Sequence, residues 1–222
     1  MTSATTCPPL ADRITKSLLG YGVIAGPVYV VAVAAQEATR DGFDPTRHAA
    51  SQLANGDFGW VQTATFLITG AMTIAGAVGI RRALGRAPSS RWAAGLIGAF
   101  GVGLMAAGIF RADPSDGFPP GTPAGMGQPS WHGLVHLAVA GAGFACLVAA
   151  CFVVASWFNR NGEAGWAWFS RITGGLFAAT FVFMASGAGG AVAILSFTAA
   201  VVLTWGWLTA VSVKLYQSVG TV

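Results

Sequence analysis

Long apolar runs alternate with short polar stretches along almost the whole chain, and that alternation is its dominant signal. The runs fall at about 17–36, 60–80, 92–110, 130–158, 168–186 and 191–213. At about 1.5 Å per residue, each is long enough to cross a hydrocarbon layer of about 30 Å. The pattern predicts an all-α integral membrane protein with six transmembrane helices. The first run could instead be a cleaved signal, because Ala32-Val33-Ala34 resembles a small-residue cleavage site. Its length and the mid-run Pro27 favour an uncleaved span.

The polar stretches divide into two kinds. Residues 1–16 form a polar lead, 81–91 a basic loop, and 214–222 a short tail around Lys214. The loop at 37–59 carries Glu37, Arg40, Asp41, Asp44, Arg47, His48, Ser51 and Asp57, and its second half, Thr46 to Leu53, could form a short helix after Pro45. The loop at 111–129 is rich in proline and glycine. With the N-terminus inside, Arg13, Lys16, Arg81, Arg82, Arg86, Arg91, Arg160, Arg171 and Lys214 lie on the cytoplasmic side, against Arg40, Arg47 and Arg111 outside. That bias predicts both termini in the cytoplasm. Most tryptophans fall at span ends, where interface anchors sit.

Composition agrees with the pattern. The chain is 54% hydrophobic and 9% charged, where soluble domains approach about 25% charged residues. Its 31 glycines suit close helix packing, with Gly70 to Gly76 and Gly95 to Gly103 as expected packing surfaces. The net charge of +4 follows from the cytoplasmic arginines and lysines, so it is no nucleic-acid signal. Cys7, Cys146 and Cys151 form neither a disulfide pattern nor a thiolate metal motif. One membrane domain in the cell membrane, in contact with lipids, is the expected unit.

This topology collects the candidate chemistry on one side. All three histidines and six of the eight acids, Glu37, Asp41, Asp44, Asp57, Asp113 and Asp116, fall at the outer face. His132 and His136 are four apart at the start of the fourth span, so both imidazoles share a helix face. If His48 joins them, three histidines could hold zinc with an open fourth position, and the metal would lower the pKa of bound water to about 7. Asp113 could then act as general base, fourth ligand or orienting partner of a histidine. Ser51, three residues after His48, could steady a polarised oxygen. Each residue also has a plainer role. His48 could be a loop or cap residue, and Asp113-Pro114-Ser115-Asp116-Gly117 is a ready-made turn. Ser51 could cap or pack, and Asp41 and Asp44 could be solvated charges.

At three places the chain resembles the bacterial and archaeal membrane proteins of the domain-of-unknown-function 998 family. These are His48-Ala49-Ala50-Ser51-Gln52-Leu53; Ala106-Ala107-Gly108 running into Ile109-Phe110-Arg111-Ala112-Asp113; and His132-Gly133-Leu134-Val135-His136. The resemblance covers roughly Leu18 to Leu208 and implies six spans without implying an activity. The toolkit of Ser51, His48, Asp113, His132 and His136 is also similar in chemistry to that of the alkaline ceramidase and adiponectin-receptor superfamily of zinc amidases. That superfamily has seven spans, places its serine before its histidine and carries its paired histidines in the last span.

The expected function is metal-dependent hydrolysis of a lipid-like amide or ester at the outer leaflet. His48, His132 and His136 would hold zinc, with Asp113 and Ser51 as catalytic groups. Three other classes stand beside it. One is a lipid- or small-molecule-binding or transport protein with a histidine gate. Another is a structural membrane partner without catalysis. A haem protein would need His48 as one axial ligand, since His132 and His136 cannot clasp a haem from opposite sides.

Overall fold

Each apolar run becomes one helix, because a backbone in lipid must satisfy its own hydrogen bonds. The computed structural model describes residues 9–125 and 127–220. The helices are α1 (Leu10–Thr39), α2 (Gly59–Ala83), α3 (Pro88–Ile109), α4 (Trp131–Arg160), α5 (Ala164–Ala185) and α6 (Gly190–Ser218), and no strand occurs among the described residues. All six are long and apolar enough to cross a membrane. The chain is a multi-pass membrane protein. Cys7 lies outside the described residues; Cys146 and Cys151 are free thiols. Helix α1 begins well before the expected first span and takes up Asp12, Arg13 and Lys16.

Each helix packs on its neighbours in the sequence, and α6 returns to α1, so the bundle closes on itself. At its centre Tyr29 of α1 stacks on Trp205 of α6 at 4.9 Å, and Phe100 of α3 meets the same indole at 5.8 Å. Trp207, fully buried, donates from Nε1 to Ser170 Oγ on α5 at 2.9 Å. By contrast Trp60, Trp92, Trp131 and Trp168 are exposed near helix ends, as anchors in an interface are.

Small residues set the helix separations. A Cβ added to Gly76 of α2 would lie 2.8 Å from Gly22 Cα of α1, and one on Gly70 would lie 2.7 Å from the Gly101 carbonyl of α3. Gly103 and Gly143 bring α3 and α4 together in the same way. The expected surface from Gly95 to Gly103 is therefore used only in its second half, since nothing lies within 4 Å of a Cβ at Gly95 or Gly98.

Polar groups inside the bundle are mostly satisfied locally. Thr65, Thr69 and Thr73 of α2 each donate to the carbonyl four residues back, at 2.7–2.8 Å. Pro27 has no N–H for the Val23 carbonyl of α1. Thr209 Oγ1 of α6 donates to that carbonyl instead, at 3.1 Å.

Six antiparallel passes put the 40–58 and 110–130 loops at one end, with the 186–189 link. The opposite end holds the 84–87 turn, flanked by Arg81, Arg82 and Arg91, the 161–163 turn, the start of α1 and the end of α6. These are called the histidine end and the arginine end below.

Candidate functional site at the histidine end

Two loops interlock over the histidine end, and the expected site residues lie in or beside them. The chain leaves α1 at Arg40. Its guanidinium turns back to donate to the Leu53 carbonyl at 3.1 Å and the Asn55 carbonyl at 2.5 Å, and lies 5.4 Å from the Phe118 ring centroid. Desolvation lowers its pKa, opposed by the nearby Asp57 charge. The next residues form a tight turn. The Asp44 carboxylate accepts from Thr46 Oγ1 at 2.6 Å and Thr46 N at 2.8 Å, and these bonds hold it below the usual carboxylate range.

His48 closes this turn and ties it to the second loop. The Asp44 N–H donates to Nδ1 at 2.9 Å, so Nδ1 carries no proton. The ring proton is on Nε2, which donates to the Asp116 carbonyl at 3.1 Å. The imidazole is 3% exposed and packs against Phe43 and the fully buried Phe118. Both ring nitrogens are thereby occupied by backbone. The short helix expected over Thr46 to Leu53 is instead a turn followed by a 3-10 helix, Ala50–Ala54, with Ala49 extended at φ −70° and ψ 149°. That break means Ser51 does not share a helix face with His48.

Further bonds fasten the loops together. Gln52 Nε2 donates to Ser115 Oγ at 2.6 Å, and Asn55 Nδ2 to the Ala112 carbonyl at 3.1 Å. In the second loop Asp116 adopts φ +53°, a left-handed conformation that aspartate tolerates better than most residues. That turn presents its carbonyl to His48.

The α3–α4 junction is capped from both sides. The Asp113 carboxylate accepts from Ser130 N at 2.8 Å and from Ser130 Oγ at 2.5 Å, while Ser130 Oγ accepts from Gly133 N at 3.1 Å. Asp113 is thus an anion at the positive end of α4. Reciprocally, His136 of α4, 4% exposed, points Nδ1 at the last turn of α3, with the Phe110 carbonyl at 2.8 Å and the Ala107 carbonyl at 3.2 Å. Two carbonyls can only be met by a proton on Nδ1, which leaves Nε2 as the basic nitrogen.

His132 and His136 both lie on α4, as the spacing predicts, but in different surroundings. His132 is exposed and lies against Trp131, with ring centroids 3.6 Å apart. Among the described residues no three His, Cys, Asp or Glu side chains are grouped to hold a metal ion. His48 is tied to the second loop, His136 to α3, and His132 faces outward. Asp113 serves Ser130, and Ser51 is half-buried.

Sequence reasoning missed Gln36 and Gln62, which lie just beneath this lid. Gln36 is one turn back from Arg40 on α1, and Gln62 is three residues into α2. Their exposures are 6% and 0%. Gln36 Nε2 donates to the Ala32 carbonyl at 3.0 Å and to Gln62 Oε1 at 2.8 Å. The Ala32 carbonyl fixes the orientation of both amides, because a flipped Gln36 would set oxygen against oxygen. Gln36 Oε1 and Gln62 Nε2 are left buried and unpartnered, an acceptor on one side chain and a donor on the other. Two glutamines at the margins of apolar runs were the available signal.

No curated protein and no solved structure matches the chain. The family model described as "Protein of unknown function (DUF998)" matches residues 23–214, which takes in the lid, both caps and all but the ends of the bundle, and the chain belongs to that family.

Proposed function

We propose that this protein is a membrane-embedded binding protein for a small neutral solute with a hydrogen-bond donor beside an acceptor, such as a carboxamide. Its recognition groups would be Gln36 and Gln62, and its gate the lid held by His48. The carrying observation is the complementary orphan pair, Gln36 Oε1 and Gln62 Nε2, one turn beneath the lid. An unsatisfied buried polar group costs about 1–3 kcal/mol, so a ligand that meets both atoms recovers that cost on binding. Leu53 and Ala54 are fully buried beside the pair's helices, so entry from this end requires the 3-10 helix to lift. His48 supplies a reason for lifting. The Asp44 N–H to Nδ1 bond is the latch, and its loss frees the turn from the imidazole. The basic-residue count supports an outward-facing lid in the cell membrane.

The test is thermal stability of the detergent-purified protein with propionamide and with propane-1-sulfonate, in wild type and Gln36→Leu/Gln62→Leu. Stabilisation of wild type by the amide alone, absent in the double variant, is expected. Equal response of both proteins to the amide removes the glutamines from recognition.

A zinc hydrolase of lipid-like amides or esters remains the rival, resting on the free Nε2 of His136. It requires His48 to surrender both backbone bonds and His132 to turn inward. One zinc per chain by elemental mass spectrometry, lost in both His48→Ala and His132→Ala, would displace the binding reading.

A further inference from the structure

The arginine end carries a second feature, on the outside of the bundle where α3 begins and α4 ends. A groove of about 370 Å³ runs between them, lined by Pro88, Ser89, Trp92, Val153 and Arg160 among others. A second hollow of about 620 Å³ adjoins it through Pro88 and Trp92 and adds Arg86 and Arg91. The three arginines are exposed, and Trp92 is 67% exposed. No acidic side chain lines either hollow. Glu163, the acid of the nearby α4–α5 turn, is paired with Lys214 at 2.8 Å. Ser89 Oγ, on the groove wall, is buried and has no hydrogen-bond partner. Ala87, which precedes the helix, gives α3 no side-chain cap.

We infer that this groove binds one anionic phospholipid, its phosphate held by Arg86, Arg91 and Arg160 and its acyl chain laid along Trp92 and Val153. The charge is complementary and unopposed. The apolar wall suits a chain and not a free anion, and the unpartnered Ser89 hydroxyl can donate to a phosphate oxygen. Trp92 marks the depth at which headgroups lie. The positive-inside count puts this end at the cytoplasmic leaflet, whose anionic lipids attract basic residues near the surface. The inference is independent of the proposed solute site at the other end.

The experiment is native mass spectrometry of the full chain released from detergent containing equal phosphatidylglycerol and phosphatidylcholine. Wild type is expected to retain phosphatidylglycerol with a preference of roughly tenfold or more, since each basic residue near the surface contributes several-fold. Arg86→Ala/Arg91→Ala/Arg160→Ala, all exposed changes, should abolish the preference. Arg13→Ala/Arg171→Ala, at the same end outside the groove, should keep it. Equal loss in both variants would show diffuse attraction and overturn the site. Displacement of the lipid by millimolar glycerol phosphate would overturn the lipid assignment in favour of a free phosphate ester. Trp92→Ala should weaken retention several-fold; unchanged retention would remove the acyl-chain part of the proposal.

Discussion

Gly133, between the two histidines of α4, gives the sharpest test of how the histidine end is held. By helix propensity alone, Gly133→Ala should stabilise by up to about 1 kcal/mol. The geometry reverses the sign. A Cβ at 133 would sit 2.5 Å from Asp113 Cγ and 3.0 Å from Oδ1, inside the carboxylate that caps α4. The carboxylate is the end of a side chain and can swing away, but only by releasing Ser130 N and Ser130 Oγ. Hydrogen bonds to a charged group are worth about 1.5–3 kcal/mol each when buried. Asp113 is half-buried, so about 2–3 kcal/mol for the pair is the reasonable figure, with about 0.5 kcal/mol more from the helix dipole. Net of propensity, Gly133→Ala should cost about 2 kcal/mol. In an Asp113→Ala background the cap is already gone, and the same substitution should stabilise by about 0.5–1 kcal/mol. Equilibrium unfolding of the four proteins in mixed micelles measures the coupling, expected at about 2–3 kcal/mol. Effects that add to within about 0.5 kcal/mol would refute the account.

Two further predictions concern packing and pH. Gly76→Leu, at the backbone contact with Gly22, should sharply reduce the monodisperse fraction in detergent, whereas Gly98→Leu, facing open space, should leave the elution profile unchanged. The Asp44 carboxylate is held below its ordinary range by Thr46, so its contribution to the lid is present above the ordinary aspartate pKa of about 3.9 and lost as pH falls through the depressed value. Hydrogen exchange of residues 44–48, relative to the intrinsic rate at each pH, should therefore rise on acidification below that range. Thr46→Val should move the rise to higher pH; an unmoved profile would remove Asp44 from the latch.

The family motifs take on a physical meaning in these contacts. His48 joins the two loops, Asp113 with Gly133 caps α4, and His136 caps α3, its acceptors lying in or beside the Ala106 to Asp113 stretch. His48 thus ties the two loops together, and Asp113 and His136 hold the α3–α4 junction from its two sides, while His132 stays exposed against Trp131. Arg40 and Asn55 do the same work, yet in a polar loop they look like any solvated side chains.

The six helices were legible from the residues alone because crossing lipid is a local demand, met by run length and hydropathy without reference to partners. The gathering of histidines and acids at one end followed equally directly, since an even or odd number of crossings decides the side of each loop. The use of those histidines was a matter for tertiary structure alone. Their partners are the Asp44 N–H and the carbonyls of Asp116, Ala107 and Phe110, backbone groups that nearly every residue carries and no residue type advertises. The same holds for Gln36 and Gln62, whose orphan atoms arise only because α1 and α2 meet at that level.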